Sequence, residues 1–196
     1  MNIRRFLTTA AATVLVLAGT AGPARADTTF SSPSSAVPYN CAFPGFTQQV
    51  TAMAEFTGPD TVPAGSTFSI TGISGRILFS DTAIRLLAAL GYDGVRGSGM
   101  IQVTASNATP GLSVGGIVPE QIWPSLTGWI DFAGGSESFV AGDPGLVEFS
   151  MGTPFSLALQ FHRRPNGTWM PWTMSCNVKV TSPAQNPAFS PALPVS

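Results

Sequence analysis

The chain has 196 residues, of which only 10% are charged, and it contains 21 glycines and 17 prolines. Soluble domains usually carry about 25% charged residues, so this composition is typical of a β-rich protein with a small-residue polar surface. The formal charge of −1 and the lack of any basic run exclude nucleic acid and an anionic membrane as expected partners. One histidine and two cysteines are too few for a metal site, and we expect neither a metal nor a cofactor.

The first 26 residues have the order of a secretory signal peptide. Two arginines precede an apolar run that ends at Ala18, and Ala24-Arg25-Ala26 forms a small-residue cleavage site. The apolar run is too short to remain as a membrane span. We therefore predict a signal peptide over residues 1–26 and a secreted protein, either free or loosely associated with the cell envelope, with no membrane anchor after cleavage.

The remaining chain is long enough for one domain with two flanking segments. Residues 27–38 are rich in Ser, Thr and Pro and are predicted to be a flexible leader, and the Pro-rich residues 181–196 are predicted to be a disordered tail. Residues 39–180 form the predicted domain. If residues 1–26 are removed, six basic residues face ten acidic ones, which gives a formal charge of −4.

The only two cysteines, Cys41 and Cys176, lie near opposite ends of this domain. An even number of cysteines in an exported chain favours a disulfide. The bond would join the first strand of the domain to its last strand, and the long loop that it closes gives a stabilisation of up to about 5 kcal/mol.

Hydrophobic residues alternate with polar ones along most of the domain. Val50 to Phe56 shows this period of two clearly, and residues 68–79 and 95–105 are further predicted strands. One short helix interrupts them. Ser80 or Asp81 can cap it, Ile84, Leu86, Leu87 and Leu90 give it an apolar side, and Gly91 can end it. We predict an all-β, antiparallel, immunoglobulin-like β-sandwich with one short helix.

The last two strands form the best-defined hairpin, with Asn166-Gly167 between them. If these two residues occupy the turn, Phe161 lies opposite Trp172, and Leu157 lies opposite Cys176. All apolar side chains then share one face, whereas a slip by one residue would bury His162. A four-residue loop with the same register is equally possible because Pro165 lacks an N–H group. Pro171 indicates that the final strand lies at a sheet edge.

Aromatic side chains on the opposite faces of these strands form a candidate binding surface. The hairpin places Arg164 opposite Trp169 on the outer face, and the alternation through residues 126–132 leaves Trp129 pointing outward. With Trp123, these residues form an exposed aromatic surface that fits a glycan, a peptide or another wall component. The alternative is that the indoles pack beneath a long loop over residues 107–124 as a satellite core.

Residues with catalytic chemistry are present but form no catalytic motif. The serines lack the spacing of a nucleophile elbow. The sequence forces no carboxylate partner on His162, which is expected to be a solvated surface histidine. Asp131 paired with Glu137 or Glu120 is conceivable for a glycosidase, but nothing in the sequence sets their separation. We therefore expect no catalytic residues and no enzymatic activity.

Several segments together resemble a known but uncharacterised family. Tyr39-Asn40-Cys41-Ala42-Phe43-Pro44, the turn Val62-Pro63-Ala64-Gly65, residues 82–87 and the stretch from Phe155 to Cys176 are similar to secreted actinobacterial immunoglobulin-like domains of unknown function. The resemblance covers roughly residues 39–180 and implies a β-sandwich and export, but no activity and no catalytic residues.

The expected function is therefore that of a secreted, non-catalytic binding or interaction module of the bacterial cell envelope or extracellular space. Its partner would be an envelope glycan or protein of unknown identity. A passive envelope protein that associates with itself through an edge strand is the alternative, and a secreted hydrolase is the least favoured reading. The sequence does not determine the ligand or the oligomeric state.

Overall fold

The computed structural model describes residues 26–33, 37–123, 128–151 and 154–196. Nearly all regular structure in these residues is extended, apart from one helix, α1 (Asp81–Ala89). The strands are β1 (Asp27–Ser31), β2 (Val37–Phe43), β3 (Phe46–Pro59), β4 (Thr67–Phe79), β5 (Tyr92–Met100), β6 (Val103–Ala105), β7 (Ala108–Val114), β8 (Gly116–Ile122), β9 (Trp129–Phe132), β10 (Ser136–Ala141), β11 (Gly145–Val147), β12 (Phe149–Met151), β13 (Phe155–Arg163), β14 (Thr168–Val178) and β15 (Leu193–Val195).

Eleven strands form one antiparallel sheet in the order β7-β10-β4-β3-β2-β14-β13-β5-β8, with β1 added to β3 and β9 added to β4. The sheet curls until β8 meets the end of β9, where Ile117 and Ala133 exchange two backbone hydrogen bonds of 2.8 and 2.9 Å. Eight strands, β3, β4, β9, β8, β5, β13, β14 and β2, therefore form a nearly closed, barrel-like ring.

The predicted all-β antiparallel fold with one short helix is confirmed, but the immunoglobulin-like arrangement of two packed sheets is corrected to this curled sheet. The physical reason lies in the two longest strands. β3 has 14 residues and β4 has 13, and each pairs with different partners along its two halves. One continuous sheet therefore curves around the core and takes the place of the two packed sheets that were predicted. The expected long loop 107–124 instead contains β7 and β8.

The interior is apolar, as the alternation predicted. Val50, Ala52, Ala54 and Phe56 are all buried. Outside the ring, β1, the second half of β3, the first half of β4, and β10 enclose a cluster of phenylalanines whose ring centroids lie 4.8 to 6.3 Å apart. Its members are Phe30, Phe56, Phe68, Phe139, Phe149 and Phe189.

The described residues of both flanking segments form strands and contribute buried side chains, where a flexible leader and a disordered tail were predicted. In the leader, β1 pairs with β3 and Phe30 is 1% exposed. In the tail, β15 pairs with β11, and Leu193 is fully buried. The partners of both segments are distant in sequence, so local composition could not reveal them. The predicted signal peptide lies almost wholly outside the described residues.

The helix begins and ends as predicted. Ser80 accepts a hydrogen bond from the Ala83 N–H at 3.2 Å, and Gly91 follows the helix with a φ of 81°. The buried side is narrower than expected, because Ala83 and Leu87 are buried whereas Leu90 is 45% exposed. No helix in the described part of the chain is long and apolar enough to cross a membrane.

The last hairpin has the predicted faces but a register that differs by two residues. Phe161 lies opposite Met170, and Arg163 pairs with Thr168 across a four-residue loop. Gly167 closes that loop with a φ of 63° and donates its N–H to the Arg163 carbonyl at 2.9 Å. A shift of two residues keeps every side chain on its own face. Met170 is nevertheless 41% exposed.

The predicted disulfide between Cys41 and Cys176 is present. The two cysteines are directly opposite on the neighbouring strands β2 and β14, and both are fully buried. Only Cys176 and the two residues after it pair with β2. The earlier part of β14, including Pro171, is bonded on one side only, as predicted for an edge.

Candidate functional site

Trp129 points outward from the ring, as predicted, and is part of a compact cluster with Arg76 and Asp131. The Arg76 guanidinium lies 4.7 Å from the centroid of the Trp129 ring, and its Nε is 2.6 Å from Asp131 Oδ1. The indole Nε1 donates a hydrogen bond of 2.9 Å to Asp131 Oδ2. These three residues, the Trp129 cluster, thus hold one another in place on β4 and β9.

A surface groove of about 440 Å³ runs beside this cluster, between the end of β1 and the end of β9. Met53 and Phe132 supply apolar walls, and Glu55, Arg76 and Asp131 supply charged groups. The side chains of Arg76 and Asp131 are 44% and 38% exposed, so solvent reaches both. The groove combines hydrogen-bond donors, acceptors and apolar surface, which is the usual composition of a small-ligand site.

Gly75 lines the groove, and its lack of a side chain is required there. A Cβ atom at this position would lie 2.2 Å from the Met53 carbonyl oxygen and 2.6 Å from the Phe132 ring. Neither distance is tolerable, because the backbone oxygen cannot move away. Only glycine therefore lets β3, β4 and β9 approach closely enough to place Arg76 beside Asp131.

The junction between β8 and β9, which we call the seam, is completed by side chains. The Gln121 side-chain amide accepts from the Asp131 N–H at 3.0 Å and donates to the Asp131 carbonyl at 3.0 Å, as a paired backbone would. Trp123 Nε1 donates to the Trp129 carbonyl at 3.2 Å, and the Trp123 ring contacts Phe79 edge-on at 5.6 Å.

Trp123 therefore does not belong to an exposed aromatic surface. Its ring packs against the main core and not in a satellite core beneath a loop, because residues 108–122 contain β7 and β8.

Trp169 lies in a second cluster on the outer face of β5, β13 and β14. Its strand partner is His162, whose ring centroid is 4.9 Å from that of the indole, and the Arg96 guanidinium lies 4.2 Å from the indole centroid. The cation over Trp169 is thus Arg96. Arg164, which was predicted to lie opposite this indole, instead bonds Asp93 through Nε at 3.1 Å. We call Asp93, Arg96, His162, Arg164 and Trp169 the Trp169 cluster.

His162 has a carboxylate partner, which corrects the expectation of a solvated histidine. Its Nδ1 is 2.6 Å from Asp93 Oδ1, and the two side chains are 21% and 12% exposed. Burial raises the pKa of Asp93. The hydrogen bonds from His162 and Arg164 and their positive charge together lower it by more than burial raises it, so the pKa is below the ordinary value of 3.8. The partner could not be found from sequence, because Asp93 and His162 are 69 residues apart.

The carboxylates considered for a glycosidase have separate partners. Asp131 bonds Arg76, and Glu120 is paired with Arg96 at 3.0 Å. Glu137 is only 4% exposed and accepts from the Val103 N–H and the Ser113 hydroxyl. Glu137 is therefore a buried structural carboxylate. The described residues contain no group of three or more histidines, cysteines and acids that would hold a metal ion.

The structure separates the two clusters. β14 carries Trp169 and β9 carries Trp129, and four strand steps separate these strands in either direction around the eight-stranded ring. The predicted binding residues thus belong to two clusters, and β8 lies between them, because its Glu120 bonds Arg96 and its Gln121 bonds Asp131. Arg76, Arg96 and Asp93 were not predicted from the sequence, although the alternation of β4 and β5 places Arg76 and Arg96 on outward positions.

A family model described as "Family of unknown function (DUF6801)" matches residues 38–190, which is most of the chain. The chain therefore belongs to this family. No curated protein matches the sequence, and no solved structure matches the fold.

Proposed function

We propose that this member of the DUF6801 family is a secreted, non-catalytic binding module that takes a hydroxyl-rich ligand, a glycan, into the groove beside the Trp129 cluster. The location would be the bacterial cell envelope or the extracellular space, in the actinobacterial setting that the sequence resembles. The observation that carries this proposal is the meeting of the groove with Arg76, Asp131 and Trp129.

The chemistry of the groove fits a sugar better than a purely apolar or a highly charged ligand. Sugar hydroxyls both donate and accept, and the groove presents a guanidinium next to the carboxylates of Glu55 and Asp131. The apolar walls of the groove fit the C–H faces of a pyranose ring. Because Trp129 and Asp131 already fix the Arg76 side chain, little side-chain entropy is lost when a ligand binds.

Export is supported by the N-terminal sequence pattern and is compatible with the buried disulfide. The absence of activity is a separate part of the proposal. Asp93 and His162 form a dyad, but the described residues place no Ser, Thr or Cys side chain within hydrogen-bond distance of His162. Hydrolysis of generic ester or glycoside substrates that is lost in His162→Gln would overturn the non-catalytic assignment.

A self-associating envelope protein is the second proposal, and β7 is the strand that favours it. β7 ends the sheet order, and its Leu112 and Val114 side chains are 76% and 52% exposed. Pro110 and the adjacent register shift limit how far another strand can pair there. Sedimentation velocity over a hundredfold range of concentration would show a dimer if this proposal holds.

The groove is tested with purified mature protein, solubilised cell-wall polysaccharide and a panel of neutral oligosaccharides. Calorimetry should give saturable binding that falls about tenfold or more in Arg76→Gln and in Asp131→Asn, because each loses charge-assisted hydrogen bonds. Arg85→Gln is the matched control, because Arg85 is an exposed helix residue. Equal binding by wild type, Arg76→Gln and Asp131→Asn, or no saturable binding to any probe, would overturn the proposal.

A further inference from the structure

The groove beside the Trp129 cluster contains one carboxylate whose charge nothing in the cluster neutralises. Arg76 and Asp131 form an ion pair at 2.6 Å, so their charges cancel. Glu55, the third charged residue of the groove, has no cationic partner among the described residues. Its carboxylate receives only a long hydrogen bond of 3.5 Å there, from the Ser74 hydroxyl to Oε1. One positive and two negative side chains therefore give the groove a net charge of −1.

The strand register explains why Arg76 does not neutralise Glu55. Glu55 of β3 lies opposite Ser74 of β4, and two residues along, Met53 of β3 lies opposite Arg76. Glu55 and Arg76 are thus diagonal neighbours on the same outer face, a relation in which long side chains can reach each other. The guanidinium nevertheless extends towards β9, where Asp131 accepts from its Nε. The Glu55 carboxylate is therefore left for a ligand.

Two serine hydroxyls flank this carboxylate. Glu55 lies opposite Ser31 of β1 on one side and opposite Ser74 of β4 on the other. Side chains directly opposite each other on one face of a sheet have Cβ atoms about 5 Å apart. All three residues line the groove. Carboxylate and hydroxyl oxygens accept hydrogen bonds, so this row of three residues suits a positively charged group with several donors.

We infer that the glycan in this groove is an amino sugar with a free ammonium group, an inference that rests on the proposed function of the groove. The ammonium group lies against Glu55 and has Ser31 and Ser74 as further acceptors, so that its three N–H donors meet three side chains in a row. The hydroxyl groups of the sugar remain for Arg76 and Asp131. Glu55 thus determines which class of sugar binds.

The charge of the whole domain favours the same class of ligand. Residues 27–196 carry six basic and ten acidic side chains, so the field around the domain attracts cations and repels anions. A uronic acid would bring a further negative charge to an acidic groove. An N-acetylated sugar carries a neutral amide with one donor in place of the ammonium group. Both of these sugars are therefore expected to bind less tightly than the amino sugar.

Three tetramers of equal length test the inference: glucosamine, N-acetylglucosamine and galacturonate. Calorimetry of the mature protein is performed at about pH 6, where carboxylates are ionised and amines are charged. We expect the glucosamine tetramer to bind about fivefold more tightly than the acetylated tetramer, and the galacturonate tetramer to bind most weakly. Because the groove is open to solvent, the preference for glucosamine should decrease as the salt concentration rises.

Two matched variants identify the carboxylate responsible. Glu55→Gln removes the charge and keeps a polar side chain of similar size, so it should abolish the preference and leave binding of the acetylated tetramer nearly unchanged. Glu148→Gln removes the same charge elsewhere on the surface and should keep the preference. Glu148 is exposed, lies outside the groove and has no cationic partner in the described part of the chain. The melting temperature of each variant verifies its fold.

The outcomes separate this inference from the proposed function. A preference for glucosamine that is absent from wild type, persists in Glu55→Gln or disappears in Glu148→Gln would overturn the inference. In each of these cases, binding of the acetylated tetramer that is lost in Arg76→Gln would still support the groove as a glycan site. If no tetramer binds wild type saturably, the proposed function and this inference both fail.

Discussion

The two arginine–tryptophan clusters have similar side chains but different supports. The Trp169 cluster rests on β5, β13 and β14, and the central strand β13 pairs with both of the others along nearly its whole length. The Trp129 cluster lies next to the seam, where Gln121 and Trp123 side chains replace backbone pairing. Side chains are thus free to bind a ligand where the central strand is paired on both sides, whereas beside the seam they also carry stability.

The disulfide joins β14, the strand that carries Trp169, to β2. Removing this disulfide is expected to have the largest effect on stability. Replacing Cys41 and Cys176 together by Ser should lower the free energy of unfolding by up to about 5 kcal/mol, because the bond closes a loop of 135 residues. Urea denaturation measures this. The control is Ser156→Ala with Ser175→Ala, an exposed pair on the neighbouring strands β13 and β14, which should change stability by less than about 0.5 kcal/mol.

Tyr39 lies on β2 beside this disulfide and makes this part of the sheet sensitive to alkali. Burial raises the pKa of Tyr39 from 10.0 to about 12. A raised pKa means that the folded state favours the neutral phenol. The stability that the neutral Tyr39 contributes is therefore complete below pH 10 and is lost as the pH rises towards 12. Urea unfolding at both ends of this range should show wild type losing about 2 to 3 kcal/mol more than Tyr39→Phe. Parallel losses would contradict the prediction.

The same substitution at the two clusters compares their supports directly. Gln121→Ala leaves the Asp131 N–H and carbonyl without partners and should cost about 1 to 3 kcal/mol, with increased iodide quenching of tryptophan fluorescence. Gln160→Ala removes one bond to the Arg96 side chain and should cost less than about 1 kcal/mol. If both variants lose the same stability, the seam is not weaker than the pairing around β13.

The smallest expected effect is acid sensitivity at the Trp169 cluster. Because the pKa of Asp93 is lowered, its contribution to stability is complete above the ordinary value of 3.8 and is lost as the pH falls below it. Asp93→Asn removes this dependence. We expect a difference of about 1 kcal/mol between wild type and variant near neutral pH that disappears towards pH 2, measured by urea unfolding. Asp131→Asn, in the Trp129 cluster, is the variant for comparison.

The local features of the fold were predictable because each is encoded by neighbouring residues. The alternation from Val50 to Phe56, the Ser80 cap and the faces of the last hairpin are all as predicted. The hairpin register was wrong by two residues, since both registers bury the same apolar face. Only the loop geometry around Gly167 distinguishes them.

The site was less predictable because it depends on pairing between distant strands. Trp129 and Trp169 were identified as outward residues, but the cations above them, Arg76 and Arg96, come from other strands. The Asp93 partner of His162 was missed for the same reason. An alternation with a period of two determines which face of a strand a residue occupies. It does not determine which strand lies next to that residue.

The sequence by itself determined that this protein is a β-rich domain with an alternating core, one capped helix, a disulfide and outward tryptophans, since propensity, periodicity and cysteine pairing act over short patterns or depend on few residues. Only the tertiary structure decided that the sheet curls into a ring, that the two ends of the described chain enter the core and that the outward tryptophans lie in two separate clusters. Each of these depends on the order of strands in the sheet, which is set by the combined burial of side chains far apart in sequence.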